Sequence, residues 1–137
     1  MGEIIKGYGF SKIMMQYGKG SIKKSGLYNE VIESLKIADI KVIAVIPFEG
    51  MQQRFSASQR SLFDKVAGEA DEVITLASEY SASVYAVRNN FLVDNSSAVI
   101  AYFTGEKGGT AYTVRRAVKS LARIINIYKN PQQKFTF

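Results

Sequence analysis

The stretch from Arg88 to Arg116, RNNFLVDNSSAVIAYFTGEKGGTAYTVRR, limits the possible folds more than any other part of the chain. Asn89 to Asp94 continue a helical pattern. Ser97 to Phe103 then form an apolar run bounded by turn residues, which predicts a buried strand. Thr104-Gly105-Glu106-Lys107-Gly108-Gly109 is a loop, and Thr110 starts a new helix as an N-cap or first-turn residue. A strand that enters a helix through glycines leaves backbone N–H groups free at the helix N-terminus. The positive end of the helix dipole points the same way, so the motif suits an anion, most commonly a phosphate. A side chain at the glycines would hold that phosphate away from the amides. The same spacing also describes a plain tight turn between strand and helix, and sequence alone leaves both readings open.

Comparable units precede and follow this stretch. Glu3 to Lys6 suggest a short strand and Gly7-Tyr8-Gly9 a turn. Ile13-Met14-Met15 suggest a second strand, followed by the glycine loop Tyr17-Gly18-Lys19-Gly20-Ser21. A helix is expected over Ile22 to Lys36, with Leu27, Val31, Ile32 and Leu35 on one face. Gly26 weakens the middle of this helix and shifts its expected start towards Leu27. The GKGS sequence lacks the GxxxxGK[ST] spacing of a P-loop, and a surface turn accounts for it. Lys41 to Ile46, KVIAVI, is apolar on both faces, as a central parallel strand is. Pro47-Phe48-Glu49-Gly50 breaks it. Ser58 caps the next helix, Leu62, Phe63 and Val66 form its apolar stripe, and Gly68 suits its end. Glu72 to Leu76 form another strand, Ser78 to Ser81 a loop, Ala82 to Asp94 a helix, and Ala122 to Ile127 a last strand. Phe135 and Phe137 on the tail seek cover on the sheet edge or on a partner subunit. Strand and helix alternate four or five times through short connections. This predicts an α/β fold, a mainly parallel sheet of four to five strands with helices on both faces. Ligands bind such sheets at the carboxyl ends of the strands.

At 137 residues the chain suits a single domain, 1–137. Within it, 1–26 is an N-terminal segment and 128–137 a tail. The absence of cysteine and histidine removes disulfides, thiol nucleophiles, most zinc sites and any histidine relay. No metal site and no cofactor are expected, and acid–base work would fall to Asp, Glu, Lys or Tyr. With neither a secretory pattern nor a membrane-length apolar run, a cytoplasmic location is expected. The net charge of +6 suits an anionic partner. The bases are dispersed, which favours a small anion over dedicated nucleic-acid binding.

The segments IKVIAVIPFEGMQQRF, ADEVITL and VRNNFLVDNSSAVIAYFTGEKGGTAYTVRRA resemble the SLOG superfamily. The nearest branch is the free-standing YpsA-like group; the DNA-processing protein DprA and the LOG cytokinin-activating hydrolases are more distant. The resemblance covers Lys41 to Ile127 and extends weakly through GKGSIKKSGLYNEVIESLK. It implies a single Rossmann-like three-layer domain that binds nucleotides or nucleotide-derived ligands. YpsA-like proteins usually open with a strand ending in a Thr-Gly-His-Arg-Pro type loop. This chain has no histidine, and the segment before Lys12 is too short for that unit, so the domain is expected to be trimmed at its N-terminus. LOG hydrolases place a catalytic Glu shortly after their Gly-Gly-x-Gly-Thr turn. Arg88 matches the LOG arginine, but Ala111-Tyr112-Thr113-Val114 follow Gly108-Gly109-Thr110 with no carboxylate. Glu106 and Glu79 are the geometric substitutes. No catalytic residue is assigned, and enzymatic activity stays open.

The expected ligand-binding residues are Arg88, Asn89, Asp94, Gly108, Gly109, Thr110, Phe48 and Tyr80. Arg88 suits a bidentate grip on phosphate, or an ion pair with Glu79 or Asp94. Asn89 fixes a base or ribose, or braces a loop. Asp94 accepts from a ribose hydroxyl, orients Arg88 or caps amides. Phe48 and Tyr80 stack on a base or pack their loops. Arg115 and Arg116 follow the glycine loop, and one of them faces solvent or a symmetry partner. The SLOG resemblance implies a binder of an ADP-ribose or cyclic ADP-ribose type signal, with no output domain expected. It would act as a phage anti-defence sponge and form homo-oligomers. The alternatives are a LOG-like nucleoside monophosphate phosphoribohydrolase, DprA-like single-stranded DNA binding, and a partner-binding subunit that takes no small molecule.

Overall fold

The computed structural model describes residues 2–15, 27–126 and 128. Among these lie five α-helices and five strands: α1 (Gly2–Gly7), β1 (Lys12–Met15), α2 (Leu27–Ile37), β2 (Lys41–Ile46), α3 (Ala57–Glu69), β3 (Glu72–Thr75), α4 (Val84–Asp94), β4 (Ala98–Ala101), α5 (Gly109–Lys119) and β5 (Arg123–Asn126). A 3-10 turn, Met51–Arg54, lies between β2 and α3. Every strand pairing is parallel, as the alternating pattern requires. The five strands are hydrogen-bonded as a three-stranded sheet, β1-β2-β3, and a two-stranded sheet, β4-β5. The fold class is α/β and compatible with a Rossmann-like domain. The expected glycine loop Tyr17–Ser21, the bases Lys19, Lys23 and Lys24, and the tail with Phe135 and Phe137 lie outside the described residues.

The chain divides into two compact units, Met1–Ser81 and Ala82–Phe137. In the first, β2 is central and its Val42, Ala44 and Val45 are buried, so both of its faces are covered. Ile5, Ile32, Leu35, Ala38 and Ile40 complete the core. Asp71 holds one edge of β2 through both backbone groups of Val42: its N–H donates to the Val42 carbonyl at 2.8 Å, and its carboxylate accepts from the Val42 N–H at 2.8 Å.

The segment expected to be a strand at Glu3–Lys6 is instead part of α1. Glu3 lies in the first turn and Lys6 in the last, which suits the helix dipole. Ile5 is buried, and the Gly2 N–H donates to Ser34 Oγ of α2 at 2.8 Å. A Cβ at Gly2 would overlap the Ser34 carbonyl oxygen, so only glycine allows this close approach. The cap of α3 is Ser56 rather than Ser58. Ser56 Oγ accepts from the Gln59 N–H, and the Gln59 side chain accepts from the Ser56 N–H, a reciprocal capping box. Gly68 does not end α3, which runs to Glu69.

In the second unit Val84, Leu92 and Val93 of α4 are buried, as are Ala101, Phe103, Ala111, Val114 and Ala117. The buried positions of α5 recur every three residues, so one stripe faces the core. Strand β4 is shorter than its apolar run. It ends at Ala101, and Tyr102 is 63% exposed. No described helix is long and apolar enough to cross a membrane.

Candidate functional site

The glycine loop leaves the carboxyl end of β4 and enters α5. Its first anchor is Phe103, held by the side chain of Asn126 at the end of β5. The Phe103 N–H donates to Asn126 Oδ1 at 3.0 Å, and Asn126 Nδ2 donates to the Phe103 carbonyl at 2.9 Å. The Tyr128 N–H also donates to Asn126 Oδ1, at 3.2 Å. The amide of Asn126 thus imitates one more rung of the ladder after the strands stop pairing, and it fixes the point from which the loop departs.

The loop ends at Gly108, with φ 149° and ψ −165°. That region of backbone space is essentially restricted to glycine. The first helical bond of α5 runs from the Tyr112 N–H to the Gly108 carbonyl at 3.0 Å. The N–H groups of Gly109, Thr110 and Ala111 have no acceptor among the described residues, as the first turn of a helix dictates. Thr110 therefore sits in the first turn, and Gly108 holds the cap position with no side-chain cap.

A recess of about 130 Å³ opens here, lined by Tyr102, Phe103, Thr104, Glu106, Lys107, Gly108, Gly109 and Thr110. Ligand pockets for whole drug-sized molecules run to roughly 300–1,000 Å³, so this one suits a phosphate-sized group. A Cβ built on Gly108 or Gly109 meets nothing within 4 Å, so the space before both glycines is open. Lys107 adds positive charge at the rim and Glu106 a carboxylate.

Three of the expected residues, Gly108, Gly109 and Thr110, come together in this recess. Arg88 and Asn89 are adjacent on α4 and are not among its lining residues. The Arg88 Nε–H donates to Asn89 Oδ1 at 3.1 Å, and Asn89 is buried. Burial holds the Arg88 guanidinium below the usual arginine range, partly offset by Tyr85, whose ring lies 5.8 Å from it. Asp94 does not pair with Arg88. Its carboxylate takes two hydrogen bonds from Arg116 of α5, at 3.0 and 2.6 Å, and one from Ser120 at 3.4 Å. The Arg116 bond holds Asp94 below the ordinary carboxylate value, and Asp94 raises Arg116 in return. Together with the Tyr112 hydroxyl bonded to Asn90 at 3.0 Å, this pair clamps α4 to α5.

Phe48 and Tyr80 meet in the first unit, edge to face at 5.5 Å. Phe48 is 3% exposed and presents no free face. Tyr80 is exposed, and the Arg54 guanidinium lies 4.3 Å from its ring centroid and 5.5 Å from that of Phe48. Sequence reasoning passed over Arg54 and Asn126. Arg54 lies within the PFEGMQQRF segment, where its place one turn past a broken strand was the available signal. Asn126 left none, because its role depends on a pairing partner distant in sequence. Among the described residues no group of three or more acidic side chains gathers as a metal site would need.

A parallel α/β chain with a glycine loop opening onto free helix amides is the class that these features define. The family model YpsA, described as the YspA SLOG family, matches residues 27–130, and the chain belongs to that family. It is 28% identical over 93 residues to the "Uncharacterized SPbeta prophage-derived protein YoqJ" of Bacillus subtilis (strain 168), covering 59% of this chain and 54% of that protein. It is 24% identical over 103 residues to UPF0398 proteins of Bacillus thuringiensis (strain Al Hakam) and Bacillus cereus (strain AH187), covering 72% of this chain and 56% of each. The chain spans about half the length of the curated relatives it matches.

Proposed function

We propose that the protein binds a nucleotide-derived small molecule through a phosphate seated on the N–H groups of Gly109, Thr110 and Ala111. The observation that carries this reading is the open recess before the N-terminus of α5. Three amides without acceptors and the helix dipole converge there, and Lys107 adds charge. The recess holds the phosphate alone, so the nucleoside part of the ligand extends beyond it. Arg88 and Asn89 form a pre-set polar pair that suits a second ligand group, whereas Asp94 serves the α4–α5 clamp.

The ligand class we favour is ADP-ribose or cyclic ADP-ribose, held intact in the cytoplasm by one domain that forms homo-oligomers. One observation supports retention without turnover. No carboxylate stands within the four residues after Thr110, where LOG hydrolases carry theirs. A relative of this chain is, by its name, prophage-derived, which agrees with a sponge that removes a defence signal.

A LOG-like phosphoribohydrolase is the second reading, and the carboxylate of Glu106 at the recess favours it. The test is native mass spectrometry of the protein incubated with AMP, ADP-ribose and cyclic ADP-ribose, followed by chromatography of the released ligand. Intact ligand at stoichiometric occupancy is the expected result. Recovery of base plus ribose phosphate would replace the binder with the hydrolase. If none of the three is retained and single-stranded DNA binds with a steep salt dependence, the DprA-like alternative stands instead.

A further inference from the structure

The carboxyl ends of β2 and β3 carry a second cationic feature, built from a side chain. Pro47 ends β2, Gly50 turns the chain with φ 71°, and the 3-10 turn Met51–Arg54 follows. The turn is fixed at both ends: the Gln53 N–H donates to the Gly50 carbonyl at 3.0 Å, and the Phe55 N–H donates to the Gln52 carbonyl at 3.1 Å. Phe55 packs edge to face on Phe63 of α3 at 5.9 Å. The loop after β3 is tied alongside, with the Glu49 N–H donating to the Ala77 carbonyl at 3.0 Å. These contacts carry Arg54 over Tyr80 and Phe48.

Three facts separate Arg54 from an ordinary surface arginine. It is exposed, yet its guanidinium is held by two rings, which removes rotamer freedom before any ligand arrives. Glu49 and Glu79 lie on the same two loops, but neither pairs with it; the ion pair among the described residues is Arg116–Asp94. Its position beyond the carboxyl ends of parallel strands is where ligands of such sheets bind. A stacked guanidinium keeps its in-plane N–H donors free, and that fork matches two oxygens of a phosphate.

We infer that Arg54, braced by Tyr80 and Phe48, is an anion-recognition residue for a phosphate group of a small-molecule ligand. This rests on the reading that the chain takes a phosphate-bearing ligand, but it concerns atoms different from those of the glycine loop. It also gives Tyr80 a role other than base stacking: its ring positions the guanidinium.

The test is a titration of the ¹⁵N-labelled full chain with inorganic pyrophosphate at constant ionic strength, following the Arg54 Nε–H signal together with the amides of Gly109 and Thr110. A saturable shift of the Arg54 signal is expected. In Arg54→Lys, which keeps the charge and loses the fork, and in Tyr80→Leu, affinity read at the 3-10 turn amides should fall about tenfold. A merely structural Arg54 would give a lower Tm in the variants and no pyrophosphate-dependent Nε shift in the wild type, and that result overturns the inference. The glycine-loop amides shifting while Arg54 stays still would also overturn it, and would leave the phosphate-loop reading intact. Arg54 shifting while those amides stay still would support it and remove the phosphate-loop reading.

Discussion

The loop after β4 and the loop after β2 both follow a parallel strand, and they present positive potential in opposite ways. After β4 the donors are backbone N–H groups at the start of α5, and side chains are nearly absent from the loop end. After β2 the donor is one side chain, held by aromatic rings. The first arrangement depends on what is missing: no Cβ at Gly108 or Gly109 and no side-chain cap on α5. The second depends on what is added: Arg54, Tyr80 and Phe48 in contact. A backbone site is therefore sensitive to any substitution that adds atoms, and a side-chain site to any that removes them.

The largest effect is expected at Gly108. In Gly108→Val a β-branched residue must adopt φ near 149°, with a strain of about 1–3 kcal/mol. Because that strain falls on the approach to the α5 amides, we expect ADP-ribose affinity by calorimetry to drop about 100-fold, equivalent to ~2.7 kcal/mol. Next is Asn126→Ala, which removes both hydrogen bonds between the Asn126 side chain and the Phe103 backbone and should cost about 1–3 kcal/mol in chemical denaturation. Ligand affinity should fall with it, since the loop loses its anchor. Gly109→Ala is the sharpest separator of binding from stability. The added methyl meets no protein atom, so stability should change by no more than about 1 kcal/mol, in the favourable direction. The methyl occupies the open recess, so affinity should fall about tenfold.

The smallest effect concerns the α4–α5 clamp. Arg116 depresses the Asp94 pKa in the folded state, so the pair's contribution is fully present above the unfolded carboxylate value of about 3.9. It is lost as pH falls through the lower folded value. Acid unfolding of Asp94→Asn should show a shallower limb below about pH 4 than the wild type. An unchanged acid limb would mean that this surface pair adds nothing measurable.

The same division explains what could be read from the sequence. Apolar patterning points to β1, β2, β3, β4 and β5 and to helices α2 to α5, because apolar runs bounded by turn residues and apolar stripes each leave a local pattern. The glycines of the β4–α5 loop were legible for the same reason: backbone geometry that only glycine tolerates shows as glycine. Side-chain sites were less legible. Arg54 and Asn126 act through residues far away in sequence, Tyr80 and Phe103, and no local pattern marks such pairs. The six residues of α1 hold too little periodicity to tell a helix from a strand; the helix is fixed by the Gly2 contact with Ser34 of α2 and by burial of Ile5. Ser56 and Ser58 both precede the apolar stripe, and the cap falls on Ser56 because only it stands three residues before Gln59.

The central claim is that a ligand phosphate sits on the first amides of α5. Its most direct test is the titration of ¹⁵N-labelled protein with ADP-ribose, reading the N–H signals of Gly109, Thr110 and Ala111. The account predicts saturable downfield shifts of all three, with the midpoint moved to about 100-fold higher ADP-ribose in Gly108→Val. If ADP-ribose and AMP both leave these three signals unmoved while the fold is intact, the phosphate is not bound there and the claim is wrong.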